Sequence, residues 1–308
     1  MAGGGMIWSC TGTTEKMSAH QSSIYHWKTL FAPDSAEMAF IEKHNIGRIY
    51  LRMFDVALEK NQWTGKQEIV PIATTRFESS VPEGVEIVPV TYITLEALRA
   101  MSGQTMEYAD LITERLLAMC SHNECGDIRE VQFDCDWTAT TKGIYSSLCQ
   151  HTDNLLANKG IDLNITVRLH QLGENPPPAD KGVLMLYNTG ALKEFRTKNS
   201  ILDLNDVKPY LLKKVSYPIP LDYSYPIFGW GVKFNGEDFI SIVSERDSVI
   251  SEKEHIRYER PTYSQIESVK RLVEKNLGKP AHGNILYHLE SEHIKHYSDE
   301  EIGQILAH

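Results

Sequence analysis

The sequence predicts an α/β protein that folds as a single (β/α)8 TIM barrel, with insertions after the second and seventh strands. Segments with strand-like and helix-like patterns alternate along the chain, which is typical of parallel sheets. Eight such strand candidates occur among the 308 residues, and eight strands are the number that closes this barrel. The alternative is an open doubly wound sheet, but no Gly-x-Gly-x-x-Gly or phosphate loop follows the first strand.

The predicted strands and helices follow in order along the chain. The strands are 24–28, 48–54, 86–92, 128–136, 162–170, 182–188, 217–223 and 283–289. The helices are 35–44, 105–121, 140–159, 205–213, 264–277 and 298–307. The first helix follows Pro33-Asp34-Ser35, which is a helix start signal. Gly160 is the expected end of the third predicted helix.

Two long segments interrupt the alternation. Residues 57–84 follow the second strand and predict a polar loop, while residues 226–261 follow the seventh. Within the latter, the segment 230–237, Trp-Gly-Val-Lys-Phe-Asn-Gly-Glu, predicts a β-hairpin. Both insertions follow a strand, so we expect both on the C-terminal face of the barrel, where active sites of this fold lie.

Composition excludes several classes of function. The formal net charge is −10, which argues against a nucleic-acid partner because phosphates require a basic surface. No run of apolar residues is long enough to span a membrane. The five cysteines lack zinc-type pairing and predict no disulfide framework. We expect no cofactor, no metal and no obligate protein partner.

The N-terminal residues 1–21 predict a disordered tail, and residues 22–308 form the predicted barrel. The tail contains Ile7-Trp8-Ser9-Cys10 followed by a polar run, which is similar to the end of a bacterial lipoprotein signal. A chance cysteine in a tail is the equal alternative. If the first interpretation holds, a lipidated Cys10 tethers the native protein to a membrane surface outside the cytoplasm, in the periplasm or at the cell surface.

The most informative segment is 131–138, where a short strand ends in two carboxylates. Successive side chains of a strand point to opposite faces, so Gln132, Asp134 and Asp136 share one face. The other face is apolar and is expected to meet the helices, which turns the carboxylates into the barrel. Buried charges are rare without a partner or a purpose, so this face is a candidate site.

The same alternation places further polar residues inside the predicted barrel: Arg52, Arg168, His170, Asp222, His288 and Glu290. One interpretation is a structural network in which Arg52 and Arg168 pair with Asp134 and Glu290. The favoured interpretation is a deep polar pocket for a hydroxyl-rich ligand, because the interiors of these barrels are ordinarily filled with Val, Ile and Leu.

Aromatic residues at or just past the strand ends favour a sugar as this ligand. Sugars need flat faces for stacking and acceptors for hydroxyl groups. The candidate ligand-binding aromatic residues are Trp27, Trp137, Tyr187, Tyr223 and Trp230, with Tyr25, Tyr92 and Tyr225 nearby in the pattern.

Two motifs carry a resemblance to a known family. Asp134-Cys-Asp136-Trp137-Thr138 resembles the fourth-strand Asp-x-Asp-x-Glu signature of the chitinase-like (family 18) glycoside hydrolases. Met185-Leu-Tyr187-Asn188 is similar to the Met-x-Tyr-Asp/Asn motif of their sixth strand. Thr138 stands where the family carries its proton-donating Glu, and a threonine is no general acid near neutral pH. More diffusely, the chain resembles bacterial lipoproteins with a glycosidase-like barrel.

Three functions remain open at this point. The first is glycoside hydrolysis, with Asp136 or Glu290 as acid/base, Asp134 as its partner, Asp222 as a further candidate carboxylate, and Tyr187 and Asn188 positioning the sugar. The second is a glycan-binding barrel without catalysis, which Thr138 favours. The third is a metal-dependent hydrolase using His170, His288, Asp134 and Asp136, although the first predicted strand lacks a His-x-His pair.

Overall fold

The structure is a computed structural model that describes residues 22–212, 216–245, 247–248 and 253–308. Eight parallel strands form its barrel: β1 Ser22–His26, β2 Ile46–Lys60, β3 Glu86–Ile93, β4 Glu130–Asp134, β5 Asp162–Val167, β6 Lys181–Met185, β7 Leu221–Pro226 and β8 Asn284–Tyr287. Each strand pairs with its neighbour in the sequence, and β1 pairs with both β2 and β8, which closes the ring. The predicted (β/α)8 barrel is therefore confirmed.

Helices cover the outside of the ring: α1 Ser35–Lys43, α2 Leu95–Ala100, α3 Thr105–His122, α4 Lys142–Ala157, α5 Leu204–Val207, α6 Tyr263–Leu277, α7 Ser291–Ile294 and α8 Asp299–Leu306. The Asp34 side chain caps α1, and Glu37 reaches back to the Asp34 amide, as the start signal predicts. Gly160 adopts a φ of 69° just after α4. Such a left-handed residue ends many helices and favours glycine.

The predicted seventh strand is shifted toward the N-terminus of the real one. Residues 217–223 predict a strand, but β7 begins at Leu221 and continues to Pro226. Pro218 and Pro220 precede it and carry no N–H for the ladder, which explains why pairing begins only after them. The shift moves Asp222 to the start of the strand.

The insertion after β2 is not a plain loop, contrary to the prediction. The strand β2 continues beyond the barrel to Lys60 and pairs antiparallel with a returning strand, Gln67–Ile72. Its alternating residues allow this, because Ile69 packs against the main core while Glu68 faces solvent. The hairpin therefore extends the barrel wall on its C-terminal side.

The insertion after β7 forms a separate antiparallel sheet of three strands, Trp230–Asn235, Asp238–Val243 and Glu254–Glu259. The predicted hairpin is confirmed, since Asn235 pairs with Asp238 across a turn in which Gly236 has a φ of 61°. The sheet stands next to the C-terminal mouth of the barrel, because the strand before it ends there.

The core of the described residues has three parts, of which a small one at the barrel mouth consists of Met185, Tyr187, Ile201 and Phe228. Most buried apolar side chains fill the layer between the strands and the helices. A smaller group lies inside the barrel and includes Tyr25, Tyr50 and Ile285. In the described ranges, no helix is long and apolar enough to cross a membrane. The predicted tail and Cys10 lie outside the described residues.

Candidate functional site

A ladder of polar side chains runs through the barrel interior from β4 to β5. Tyr25 donates its hydroxyl proton to Gln132 Oε1 at 2.8 Å, and the Gln132 amide donates to Asn164 Oδ1 at 3.1 Å. Asn164 in turn donates to Glu130 Oε1 at 2.6 Å. Every member is almost fully buried, so each bond replaces one that water would otherwise make. The inward polar face that alternation predicts is present on both strands.

Glu130 anchors the N-terminal end of this ladder. Its carboxylate lies 3.3 Å from Arg48 Nη1 and 3.0 Å from Lys181 Nζ, and Tyr50 donates to it at 3.3 Å. A buried carboxylate is tolerated when it is both paired and hydrogen-bonded, and Glu130 meets both conditions. This end of the barrel is therefore a closed structural network.

Asp134 ends β4 near the opposite, C-terminal end of the interior. It is 3% exposed and accepts hydrogen bonds from Thr166 Oγ1 at 2.6 Å and from Arg168 Nη2 at 2.9 Å. The structure thus pairs Arg168 with Asp134, as the network interpretation expects. Arg52 instead pairs with Asp55, three residues along its own strand, and not with Asp134 or Glu290.

Asp136 lies beyond the strand end and faces a pocket at the barrel mouth. Its side chain is 51% exposed, and His170 Nε2 lies 3.5 Å from its Oδ1. The pocket encloses about 260 Å³ and is lined by Tyr92, Asp136, Arg168, Leu169, His170, Met185, Tyr187, Asn188, Thr189 and Tyr210. We call it the mouth pocket. Because exposed ion pairs contribute little, the Asp136–His170 contact leaves the carboxylate available to a ligand.

Two buried donors beside the mouth pocket have no hydrogen-bond partner within the described part of the chain, namely Arg168 Nη1 and the Tyr187 hydroxyl. An unpaired buried donor costs about 1–3 kcal/mol, so an acceptor supplied from the pocket would be stabilising. Burial and the nearby Asp134 carboxylate raise the pKa of Tyr92 to about 12. Asn188 has a φ of 55°, a left-handed conformation that asparagine adopts more readily than most residues.

An aromatic cluster continues from the pocket across the mouth. The rings of Tyr187 and Tyr287 stack with centroids 4.4 Å apart, and Phe228 meets both edge-on. Trp230 packs on Phe228 at 5.2 Å, and Trp27 packs on Tyr287 at 5.8 Å. The predicted Trp27 and Trp230 thus lie at the mouth, separated from the pocket by the Tyr287 and Phe228 rings.

A second polar cluster lies at the rim, where β8 ends and α7 begins. His288, Glu290 and His293 each place one potential ligand atom within 4.8 Å of the others, and we call them the rim triad. Burial lowers the pKa of His288 to about 3 and that of His293 to about 4, with neighbouring positive charges adding to the effect. Burial raises the pKa of Glu290.

The triad's position corrects the predicted eighth strand. Alternation placed His288 and Glu290 inside the barrel, but Ile285 is the β8 residue of the interior group, and Tyr287 packs against that group. His288 and Glu290 follow the strand and lie beside α7. The predicted metal set is therefore not assembled, because His288 is grouped with His293 while His170 lies next to Asp136 at the mouth pocket.

Three other predicted site residues also lie elsewhere. Asp222 is at the N-terminal end of the barrel, where the backbone amides of His282 and Gly283 donate to its Oδ1 at 2.6 and 3.0 Å. Tyr223 belongs to the core between strands and helices and donates to the Gly278 carbonyl. Trp137 is buried in the same core. None of the three lines the mouth pocket.

Thr138 lies in the loop between β4 and α4 and is hydrogen-bonded there. Its amide donates to Thr141 Oγ1 at 2.9 Å, and its hydroxyl lies 3.0 Å from that of Thr140. The Thr138 side chain is therefore bonded within its own loop and does not line the mouth pocket.

Sequence reasoning placed Tyr92 in the aromatic pattern but missed other residues of these clusters, including Tyr287, Tyr210 and His293. Tyr287 ends a strand, so the aromatic pattern could have found it. Tyr210 comes from a short 3-10 turn after α5, and His293 from α7. Neither of these two has a periodic signal, because Tyr210 lies in a short turn and α7 has only four residues.

A larger groove lies outside the barrel, between the β2 hairpin and α3. It encloses about 590 Å³ and is lined mainly by apolar side chains such as Phe54, Leu111 and Met119. Its charged lining residues, Glu114 and Arg115, and its histidine, His122, all come from α3. The mouth pocket is therefore the stronger candidate for ligand chemistry, since it combines convergent polar groups with aromatic rings.

The fold is a closed (β/α)8 barrel of the kind that chitinases use. Three solved structures share it: a chitinase from Chromobacterium violaceum ATCC 12472 (11% identity, 93% of this chain and 98% of that chain, TM-score 0.58), the Bacillus cereus spore cortex-lytic enzyme SleL (13%, 94% and 75%, 0.56), and the GH18 chitinase ChiB from the chitin utilization locus of Flavobacterium johnsoniae (13%, 93% and 93%, 0.55). At this level of identity the similarity shows a shared fold, and this is the fold that the sequence analysis predicts. No family model and no curated protein matches the sequence.

Proposed function

We propose that this chain is a carbohydrate-acting barrel that binds a sugar in the mouth pocket. The observation that carries the proposal is the composition of that pocket, in which three tyrosine rings surround Asp136, Arg168, His170 and Asn188. Aromatic faces stack on sugar rings, while carboxylate, amide and guanidinium groups bind hydroxyls. The shared fold with chitinases and a cortex-lytic enzyme adds support by analogy.

The geometry favours particular roles for the pocket residues. The unpaired Arg168 Nη1 and the Tyr187 hydroxyl are donors for ligand oxygens, and Asp136 is the acceptor for ligand hydroxyls. Asp134 holds the Arg168 guanidinium in place from below. A volume of about 260 Å³ is close to the lower limit of small-ligand pockets, roughly 300–1,000 Å³, which favours a short saccharide or a chain end.

We further propose that the chain does not cleave its ligand by the chitinase-type mechanism. Hydrolysis of a glycosidic bond needs a proton donor, and Thr138 supplies none. Asp134, the neighbouring carboxylate, is buried and already paired with Arg168. Glu290 belongs to the rim triad, and Asp222 is bonded at the other end of the barrel. Binding without turnover is the function that this arrangement favours.

One observation favours hydrolysis as the second candidate. Asp136 is half exposed at the mouth pocket and has His170 3.5 Å away, which gives one carboxylate with a titratable neighbour at the ligand position. In that case Asp136 acts as the acid/base, and turnover depends on it.

For location, we propose an extracytoplasmic protein in which a lipidated Cys10 is the tether. The lipoprotein-like Ile7-Trp8-Ser9-Cys10 supports the tether, and the glycan ligand supports the compartment. Labelling with a radioactive fatty acid in a bacterial host tests it. Incorporation that Cys10→Ala abolishes supports the tether, and an unlabelled wild-type chain contradicts it.

A glycan array followed by a turnover assay tests the function. We expect the wild-type chain to bind at least one glycan class and the Asp136→Asn variant to lose that signal. Asp110→Asn is the matched control, because Asp110 is exposed on α3, outside the barrel. Incubation of the bound glycan with the wild-type chain is expected to release no product. Product release that Asp136→Asn abolishes would select the second candidate, and an array without any signal would contradict both.

A further inference from the structure

The rim triad has the composition of a metal site. His288 Nε2 lies 3.9 Å and His293 Nε2 lies 3.3 Å from the same oxygen, Glu290 Oε2. Two imidazoles and one carboxylate are the protein ligands of many catalytic zinc sites, which keep the fourth position open. Glu290 is 36% exposed, so that an ion held here would be accessible from solvent.

The distances are compatible with one ion held between the three side chains. Zn–N bonds of about 2.0–2.1 Å and Zn–O bonds of about 2.0–2.2 Å in a tetrahedron hold the ligand atoms roughly 3.3 Å apart. The Glu290–His293 separation equals this value. The Glu290–His288 separation is longer, and a small movement of either side chain would remove the difference. At 3.9 Å, His288 makes no hydrogen bond to Glu290. Its Nδ1 is also buried without a partner within the described ranges.

We propose that the rim triad binds one divalent transition-metal ion of the zinc type. Imidazole nitrogen selects such ions, whereas Mg²⁺ and Ca²⁺ prefer oxygen ligands alone. The sequence pattern is His288-x-Glu290-x-x-His293, which spans the junction of β8 and α7. The site is separate from the mouth pocket and its proposed sugar, since Tyr287 and Phe228 stand between them.

Two nearby cations have carboxylate partners of their own. Arg260 forms an ion pair with Glu245, and Lys28 lies 2.6 Å from Glu37. The triad therefore keeps the single negative charge of Glu290 for an incoming cation. Arg260 Nη2 also lies 3.4 Å from His293 Nδ1, a long contact that metal binding at Nε2 would release because Nδ1 then carries the proton.

Calorimetric titration of the full chain with ZnCl₂ after chelator treatment tests this proposal. We expect one zinc ion per chain, with Mg²⁺ producing no heat of binding. His293→Ala and Glu290→Gln are each expected to weaken zinc binding at least about tenfold. Removing only a residue that hydrogen-bonds to a metal ligand already weakens metal binding about 10–100-fold, and removing the ligand itself should weaken it at least as much. His296→Ala is the matched control, because His296 is exposed and three residues further along.

Glu290→Gln preserves the shape of its side chain, so it decides the test if His293→Ala does not fold. Zinc is also expected to raise the melting temperature of the wild-type chain and of His296→Ala, but not that of Glu290→Gln. Absence of zinc binding by the wild-type chain contradicts the site. Equal affinity of the wild-type chain and Glu290→Gln does so as well, because the zinc then sits on other histidines.

Discussion

Arg168 reaches across from the end of β5 to Asp134 at the end of β4, with its Nη2 atom 2.9 Å from Asp134 Oδ1. This pair distinguishes Asp134, the last residue of β4, from Asp136, which lies just beyond the strand. Asp134 is buried and committed to the barrel, while Asp136, two residues on, is half exposed and faces the mouth pocket. The two aspartates therefore have different expected roles, and their variants separate the roles.

Asp134→Asn is expected to destabilise the fold. Removing one partner of a buried pair leaves the Arg168 charge uncompensated, which costs roughly 3–5 kcal/mol in the free energy of unfolding. Asp136→Asn is the comparison, because a substitution at a half-exposed position changes stability by about 0.5 kcal/mol or less. Urea denaturation of both variants checks this difference, and similar losses in the two would contradict the division.

Tyr187→Phe is expected to keep or slightly raise stability while weakening glycan binding. It removes a buried hydroxyl that has no protein partner, which relieves the cost of an unpaired donor. Tyr223→Phe serves as the matched change, because the Tyr223 hydroxyl donates to the Gly278 carbonyl at 2.9 Å. The free energy of unfolding of Tyr223→Phe should fall by about 1 kcal/mol, and the variant should bind glycan as the wild type does. Thermal melts with glycan titrations give both readouts, and the opposite pairing of effects would refute the assignment.

Glu259→Gln is expected to loosen the inserted sheet after β7. The Glu259 carboxylate is fully buried and accepts from Ser200 N at 2.8 Å, from Trp230 Nε1 at 3.0 Å and from Arg257 Nε at 2.5 Å. Neutralising it removes the charge partner of Arg257, so we expect the free energy of unfolding to fall by about 3 kcal/mol. Limited proteolysis should show faster cleavage within residues 230–259. Unchanged cleavage and stability would mean that the sheet is held by other contacts.

The buried His26 side chain is expected to make the fold less stable in acid. Its ring is fully buried with no hydrogen-bond partner in another described residue, and burial, with Lys28 nearby, lowers its pKa to about 4. The unfolded chain therefore takes up the proton first, and stability that is present above pH about 6.5 is lost as the pH falls toward about 4. For His26 alone the loss is roughly 3 kcal/mol.

The variant His26→Leu isolates this contribution, because His288 and His293 also have lowered pKa values and titrate in the same range. We expect the variant to match or exceed the wild type in stability at pH 7 and to lose less between pH 6.5 and pH 4 in a chelator-containing buffer. Parallel pH profiles for the two proteins would exclude His26 as a source of the acid sensitivity.

The sequence predicts the barrel and the inward polar face of β4 and β5 because both follow from local periodicity. Gln132, Asp134, Asn164 and Thr166 alternate with apolar residues, and the structure buries all of them inside the ring. Prediction failed for Asp222, since alternation gives the face of a side chain but not its height along the barrel axis. Height depends on where the strand begins, which the prolines before β7 determine.

The tertiary structure determines which residues make up the mouth pocket and the rim triad. Tyr210 reaches the mouth pocket through a short turn, and His293 meets His288 only because α7 folds back at the rim. No strand or helix periodicity in the sequence marks either position. The fourth- and sixth-strand motifs indicated where the candidate site lies, and the loops determine which other side chains line it.

The most direct test of the central claim is a calorimetric titration of the array-selected glycan into the wild-type chain, Asp136→Asn and Asp110→Asn. A charged hydrogen bond contributes about 1.5–3 kcal/mol, so the Asp136→Asn affinity should fall at least about tenfold. Asp110→Asn should bind as the wild type does. Equal affinity of the wild-type chain and Asp136→Asn would contradict the assignment of the mouth pocket as the sugar site.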